Sequence, residues 1–173
     1  MSGRSLRVLG HPVHPMLTAF PVALWSASLL WDVVGLVRPE TLWSQMAFWT
    51  LALGLIAFVP TATTGFVDFL RLTPGDQVES LASRHMMASF GAASFFTVSL
   101  VVRRFEDPSS EFGLSLLLSA VGWIVLMAAG WLGGELVFGH GVAVERLTDE
   151  PSDARSLPAE PPVTSPNDTE STA

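Results

Sequence analysis

Four long apolar segments dominate this chain of 173 residues, and their length limits the folds open to it. Each is at least as long as the roughly 20 residues that an α-helix needs to cross the hydrocarbon core of a bilayer. Only 14% of the residues are charged, whereas a soluble domain has about 25%. The sequence therefore predicts four transmembrane helices, at residues 15–37, 42–70, 76–104 and 110–139.

Short polar linkers separate the four segments and constrain how the helices run. The sequences RPET, TPGDQ and EDPSSE contain the proline and small polar residues that are typical of turns and helix starts. Linkers of this length make neighbouring helices antiparallel. We expect an all-α membrane protein, an antiparallel bundle of four transmembrane helices formed by residues 1–147, with both termini at one membrane face.

The last part of the chain, residues 148–173, differs sharply in composition. From residue 145 onward there are seven acidic residues and two arginines, and Pro, Ser and Thr are abundant. A segment of this kind has too little apolar surface to form a core. We predict that residues 148–173 form a disordered acidic tail.

Several classes of function are excluded or left without support. The chain has no cysteine, so disulfides, thiolate metal ligands and cysteine nucleophiles are excluded. It also has no Gly-x-Ser-x-Gly elbow, no His-Glu-x-x-His pair and no phosphate-binding loop, which leaves no hydrolase or transferase motif. Nothing in the sequence indicates nucleic-acid binding. An enzymatic activity is therefore not predicted.

The arginines, which are the only basic residues apart from histidine, are distributed unevenly between the two predicted faces. Six lie at the face of the termini: Arg4, Arg7, Arg71, Arg84, Arg146 and Arg155. Three lie at the opposite face: Arg38, Arg103 and Arg104. Because cytoplasmic segments of membrane proteins are enriched in basic residues, we expect both termini to be cytoplasmic.

All four histidines of the chain fall at one membrane face if the helices alternate in direction. His11 and His14 precede the first predicted helix in the sequence HPVHP, where Pro15 can begin the helix. Each proline restricts the histidine before it, so both imidazoles are held on a stiff segment, with His14 near the N-cap. His85 lies near the start of the third helix and His140 follows the fourth.

Other ionisable residues inside the predicted helices lie toward the same face, with the exception of Asp32, which ends the first helix at the opposite face. Arg84 adjoins His85 in the third helix. Asp68 and Glu135 lie near the ends of the second and fourth helices, the latter within the glycine-rich segment GWLGGELVFGHG, which allows a neighbouring helix to approach closely. Ionisable groups within a membrane span usually face the bundle interior or a cavity. We therefore expect a polar interior at this end of the bundle and apolar packing at the other.

Three motifs, GHPVHPMLTAFPVALW, RHMMASF and GWLGGELVFGHGVAV, resemble a widespread bacterial family of predicted four-helix inner-membrane proteins of unknown function. The resemblance covers residues 8–144 and implies a four-helix protein of the bacterial inner membrane. Some relatives are joined to a Rieske-type iron–sulfur domain, an association that implies electron transfer by analogy. This chain has neither that domain nor a cysteine to bind a cluster.

The first hypothesis for the histidines is a b-type haem site. Paired histidines on facing helices of a membrane bundle can supply the two axial ligands of haem iron. His85, the most deeply embedded, would pair with His14 or His140. Arg84 would neutralise a haem propionate. The function would then be electron transfer, with other membrane redox subunits as partners.

Two further hypotheses use the same residues. A divalent metal such as zinc or copper would find enough nitrogen and oxygen ligands at this face. The ligands would come from His11, His14, His85, His140, Glu135 and Asp68. Alternatively the chain is a structural or assembly subunit without a cofactor, in which the histidines cap helices and the acidic residues pair with Arg84. The residues alone leave all three hypotheses open.

Overall fold

The computed structural model describes residues 5–72, 75, 77–105 and 113–144, and it contains four long helices. They are α1 (Val13–Val37), α2 (Thr41–Phe69), α3 (Gln77–Val102) and α4 (Leu114–Gly134). A π-helical turn, Glu135–Gly139, extends α4. All four helices are long and apolar enough to cross a membrane. The predicted all-α fold of four transmembrane helices is thus confirmed, and the chain is a protein of the lipid bilayer.

The helix ends differ from the predicted ones by a few residues. α1 begins at Val13, after the N-cap Pro12 in an extended conformation, so His14 lies in the first turn, two residues after the N-cap. α4 begins at Leu114, four residues later than predicted. Most of the linkers TPGDQ and EDPSSE, and the predicted tail at 148–173, lie outside the described residues.

A two-stranded hairpin that the sequence did not indicate precedes α1. It pairs β1 (Arg7–Val8) with β2 (His11–Pro12) in antiparallel register. The two residues of its turn, Leu9 and Gly10, both have positive φ angles, of 52° and 83°. Two-residue turns of this kind match the twist of the flanking strands. The N–H of Leu6 donates to the carboxylate of Asp68, which fixes the N-terminal segment to the end of α2.

The helices pack as two hairpins, α1 against α2 and α3 against α4. α1 and α3 lie diagonally across the bundle and meet through long side chains. In the middle of the bundle the indole of Trp25 stacks on the ring of Phe96, with centroids 4.6 Å apart and both side chains buried. A Cβ at Gly54 would lie 2.5 Å from Cδ1 of Trp25, so only glycine leaves room for the indole.

At the end remote from the termini, α1 and α3 are joined by a buried ion pair. The guanidinium of Arg103 donates two hydrogen bonds to the carboxylate of Asp32, at 2.7 and 2.6 Å, and the two side chains are 10% and 9% exposed. Arg103 also donates to the hydroxyl of Ser119 at 3.1 Å. The expectation of purely apolar packing at this end was therefore wrong.

Candidate functional site

A pair of histidines lies between the helices at the end of the bundle that carries the N-terminus. His14 projects from the first turn of α1 and His85 from the early part of α3. Their ring centroids are 6.4 Å apart, and the ring planes are at 79° to each other. Both side chains are half-buried. Of the two partners predicted for His85, the structure thus brings His14 close to it.

Backbone carbonyls fix the orientation of each ring. Nδ1 of His14 lies 2.9 Å from the carbonyl oxygen of Thr61 in α2. Nδ1 of His85 lies 2.8 Å from the carbonyl oxygen of Ala129 in α4. A carbonyl oxygen only accepts hydrogen bonds, so in each ring Nδ1 is the nitrogen that carries the proton. In the neutral form of each ring Nε2 is then an acceptor, and it has no hydrogen-bonding partner among the described residues.

Two glycines make room for the rings. A Cβ at Gly65 would lie 2.6 Å from Cε1 of His14, and a Cβ at Gly133 would lie 3.0 Å from Cε1 of His85. Each glycine follows the carbonyl that holds the ring by four residues, which is one helical turn. Gly133 therefore accommodates an imidazole rather than the backbone of another helix. An alanine at either position would force the neighbouring ring to move.

The two histidines line a cavity of about 400 Å³ to which all four helices contribute. Its inner end is formed by Trp25, Phe58, Phe90 and Leu126. The rest of the wall is almost wholly apolar, and α4 contributes small residues on the side of Gly130. Cavities of this size and polarity are typical of sites for small molecules and cofactors, which combine an apolar wall with a few polar groups.

The two other histidines lie apart from this pair. His11 is exposed in β2. His140 is exposed after the π-helical turn, and its Nδ1 lies 3.2 Å from the carbonyl oxygen of Glu135 in its own segment. Neither residue lines the cavity. Sequence position placed all four histidines at one face, but the structure brings only His14 and His85 together.

The predicted charged site residues occupy separate environments. Asp68 lines the cavity, but its carboxylate accepts a hydrogen bond from Leu6 N–H. Glu135 is exposed, and its carboxylate packs against Gly139. Arg84 is exposed beside a groove that shares Phe69 with the cavity. Within the described part of the chain, Arg84 forms no ion pair with either acidic residue.

A multi-ligand metal centre is not assembled by these residues. In residues 5–72, 75, 77–105 and 113–144, no group of three or more His, Asp or Glu side chains is arranged to hold a metal ion. The site therefore offers two imidazole nitrogens and an apolar cavity. Sequence reasoning missed the carbonyls of Thr61 and Ala129, which carry no side-chain signal. It also missed Gly65, whose spacing from Thr61 repeats that of Gly133 from Ala129.

Comparison with known proteins identifies a family for the chain and gives no more specific relative. Residues 10–146 match the model of the family DUF2231, described as predicted membrane proteins. This confirms the resemblance to a membrane-protein family that the sequence motifs indicated. No curated protein and no solved structure matches the chain.

Proposed function

The chain belongs to the DUF2231 family of predicted membrane proteins, and from that premise we propose that it binds a b-type haem between His14 and His85 and transfers electrons. The observation that carries the proposal is the separation of the two imidazoles. A metal–imidazole bond is about 2.0 Å, and a ring nitrogen lies about 1.1 Å from the ring centre, so two rings on opposite sides of one metal have centroids roughly 6.2 Å apart. The observed value is 6.4 Å.

The protonation of the rings supports the same ligand. Both Nδ1 atoms donate to carbonyls, so both Nε2 atoms present lone pairs. Two acceptors cannot form a hydrogen bond with each other. A Lewis acid between them satisfies both. A hydrogen bond from the second nitrogen to a carbonyl is also the usual way in which a metal-binding histidine is oriented.

The cavity favours a large apolar cofactor over a bare ion. A zinc ion takes four ligands in a structural site and three protein ligands in a catalytic one, but no three such side chains of the described residues are arranged to hold it. The cavity has an apolar wall and a volume of about 400 Å³. Both suit a macrocycle, most of whose surface would be covered by the protein. Haem brings four equatorial nitrogens of its own, so two axial histidines complete its coordination.

The charged rim of the site gives the cofactor an orientation. Haem carries two propionates, which favour water and cationic side chains. The cavity lies toward the face that carries the N-terminus, and the groove of Arg84 adjoins it through Phe69. We assign Arg84 to a propionate at this face. His11 and His140, which are exposed, are not ligands in this proposal.

The location in the cell follows from the same charges. Arg103 is paired with Asp32 inside the bundle and does not add to the surface charge of its face. The excess of arginine at the face of the termini supports cytoplasmic termini, and we propose the bacterial inner membrane as the location. The proposed partners are other membrane redox subunits that meet the haem edge at this face.

A visible spectrum tests the proposal directly. The full chain, purified in mild detergent and supplied with haem, is recorded as isolated and after dithionite. A Soret band that shifts, with sharp α and β bands on reduction, is the expected result for bis-imidazole haem. The variants His14→Ala and His85→Ala should lose the bound haem, while His11→Ala and His140→Ala, the matched controls, should keep it.

Two results would overturn the proposal. One is a colourless protein after haem is supplied, in which case metal analysis of the same sample distinguishes a bare zinc or copper site from a bundle without a cofactor. The other is an unchanged haem content in His14→Ala or His85→Ala, which would place the haem elsewhere.

A further inference from the structure

The bundle repeats one set of residues in its two halves. Four residues of α1 have counterparts 71 residues later in the chain, three of them in α3 and the fourth directly after it. The pairs are His14 and His85, Trp25 and Phe96, Ser28 and Ser99, and Asp32 and Arg103. The members of three pairs contact each other across the bundle: the imidazoles, the stacked rings and the ion pair. α1 and α3 therefore face each other with matching positions along their whole length.

The contacts inside each hairpin repeat as well. In the first hairpin, Ser28 donates to the carbonyl of Ala47 at 2.8 Å. In the second, Ser99 donates to the carbonyl of Ser115 at 2.7 Å. Because Ser99 matches Ser28, these two carbonyls occupy matching positions in α2 and α4.

The same correspondence holds at the middle and at the histidine end. Gly54 makes room for Trp25, and Gly122, 68 residues later, makes room for Phe96. At the site, the two carbonyls that hold the rings and the two glycines beside them are also separated by 68 residues. All of these contacts repeat at an interval of 71 residues on the side of α1 and α3 and of 68 residues on the side of α2 and α4.

We infer that the bundle is a duplicated helical hairpin and that its two copies supply equivalent halves of the ligand site, so that a bound haem iron has both axial positions filled and none open. This inference rests on the proposed haem site and assigns its chemistry. Both hairpins begin at the same membrane face, so the axis that relates them runs along the membrane normal, as in parallel repeats. The two imidazoles lie on opposite sides of that axis.

Equivalent half-sites have a chemical consequence. Each imidazole is held by a carbonyl of the other helix in its own hairpin and rests on a glycine, so neither is freer than the other to leave the metal. Oxygen and carbon monoxide bind haem iron at an axial position that the protein leaves open, and the distal pocket decides that chemistry. With His14 and His85 holding both positions, a bound haem would supply electron exchange with the proposed redox partners and would offer no open position to a substrate. The site then carries electrons and does not activate oxygen.

Carbon monoxide tests this inference on the full haem-loaded chain in detergent. The dithionite-reduced wild-type protein should show no shift of the Soret band under carbon monoxide. Gly65→Ala and Gly133→Ala each displace one ring, so each should produce a fraction that binds carbon monoxide and shows a shifted Soret band, and added imidazole should reverse it. Gly91→Ala, in which the new Cβ would meet Val125 Cγ1 at 3.7 Å, an ordinary contact, is the matched control and should behave as wild type.

The outcomes separate the two proposals. A wild-type protein that holds haem and binds carbon monoxide overturns the inference and leaves the haem site standing. A shift in neither of the two glycine variants shows that the glycines do not hold the rings in the axial positions, and this also overturns it. A protein that takes up no haem overturns the proposed function, and the inference fails with it.

Discussion

The contact between α1 and α3 places polar side chains inside the bundle at both of its ends, but it does so in two different ways. At one end the matching positions hold Asp32 and Arg103, which are opposite in charge and satisfy each other in a bidentate pair. At the other end they hold His14 and His85, which are identical, present two acceptors and stand 6.4 Å apart beside a cavity. Complementary residues bind each other directly at one end of the bundle, which we call the closed end. Identical residues line a cavity that a third group can occupy at the other end, which we call the open end.

The middle of the bundle keeps the two ends separate. Trp25 and Phe96 stack across the centre and are 1% and 0% exposed. These two rings fill the centre of the contact between α1 and α3, between the ion pair at one end and the histidine pair at the other.

The largest effect is expected at the closed end. Arg103→Leu leaves the carboxylate of Asp32 buried without a partner, and breaking a buried ion pair in this way costs about 3–5 kcal/mol. Thermal or denaturant unfolding in detergent measures the loss. Arg104→Leu is the matched control, because the exposed Arg104 only stacks 4.9 Å above the Phe48 ring. Its loss should stay below about 1 kcal/mol. Equal losses in the two variants would show that the ion pair does not hold this end together.

The second largest effect on the free energy of unfolding is expected in the central layer, around Trp25 and Phe96. Gly54→Ala places a Cβ 2.5 Å from the indole of Trp25, and overpacking of this kind costs about 1–3 kcal/mol. Gly122→Ala should cost less, because its nearest contact would be Phe95 Cβ at 3.1 Å. Unfolding of the two variants, measured side by side, gives the order. A larger loss for Gly122→Ala would contradict the close packing of the first hairpin around Trp25.

Exchanging the charges of Asp32 and Arg103 tests whether the two positions match. Because positions 32 and 103 match, the double variant Asp32→Arg with Arg103→Asp should restore the ion pair and recover most of the stability that either single change removes. The recovery should fall short by about 1 kcal/mol, the net value of one hydrogen bond. The reason is that Ser119, which accepts from Arg103, has Leu51 as its counterpart in the first hairpin. A double-variant cycle of unfolding free energies checks this, and additive losses would argue against matching positions.

The sequence predicted the fold but only part of the site, for one physical reason. The length of an apolar segment defines a membrane helix, so the four helices follow from hydrophobicity alone. The rotation of each helix does not, because lipid is as apolar as the bundle interior and the hydrophobic pattern has little periodicity. Sequence position thus places His14, His85 and His140 at one face without choosing a pair. The same ambiguity left Asp32 without a partner and placed Arg103 at the surface.

Some of that information was present in the spacing of residues along α1. His14, Trp25, Ser28 and Asp32 are separated by 11, 3 and 4 residues, which places them on one face of a helix with 3.6 residues per turn. The same spacing recurs in α3. The repeat is hard to see in a single sequence because, of these four pairs, two keep the same residue, while an indole is replaced by a phenyl ring and an acid by a base.

The smallest effect is expected at the open end of the cofactor-free protein. The double variant His14→Leu with His85→Leu removes two acceptors that have no partner, and the carbonyls that held the rings keep their helical hydrogen bonds. Replacing polar groups by apolar ones of similar shape is then close to neutral, so the free energy of unfolding should change by less than about 1 kcal/mol. Haem should make the wild-type protein more stable than the double variant, because a ligand stabilises only the protein that binds it. At 100 times its dissociation constant, haem adds about 2.7 kcal/mol to the free energy of unfolding. Unfolding with and without haem measures both numbers. A loss of several kcal/mol without haem, comparable to that of Arg103→Leu, would mean that the histidines hold the bundle together as the ion pair does, and the contrast between the two ends would disappear.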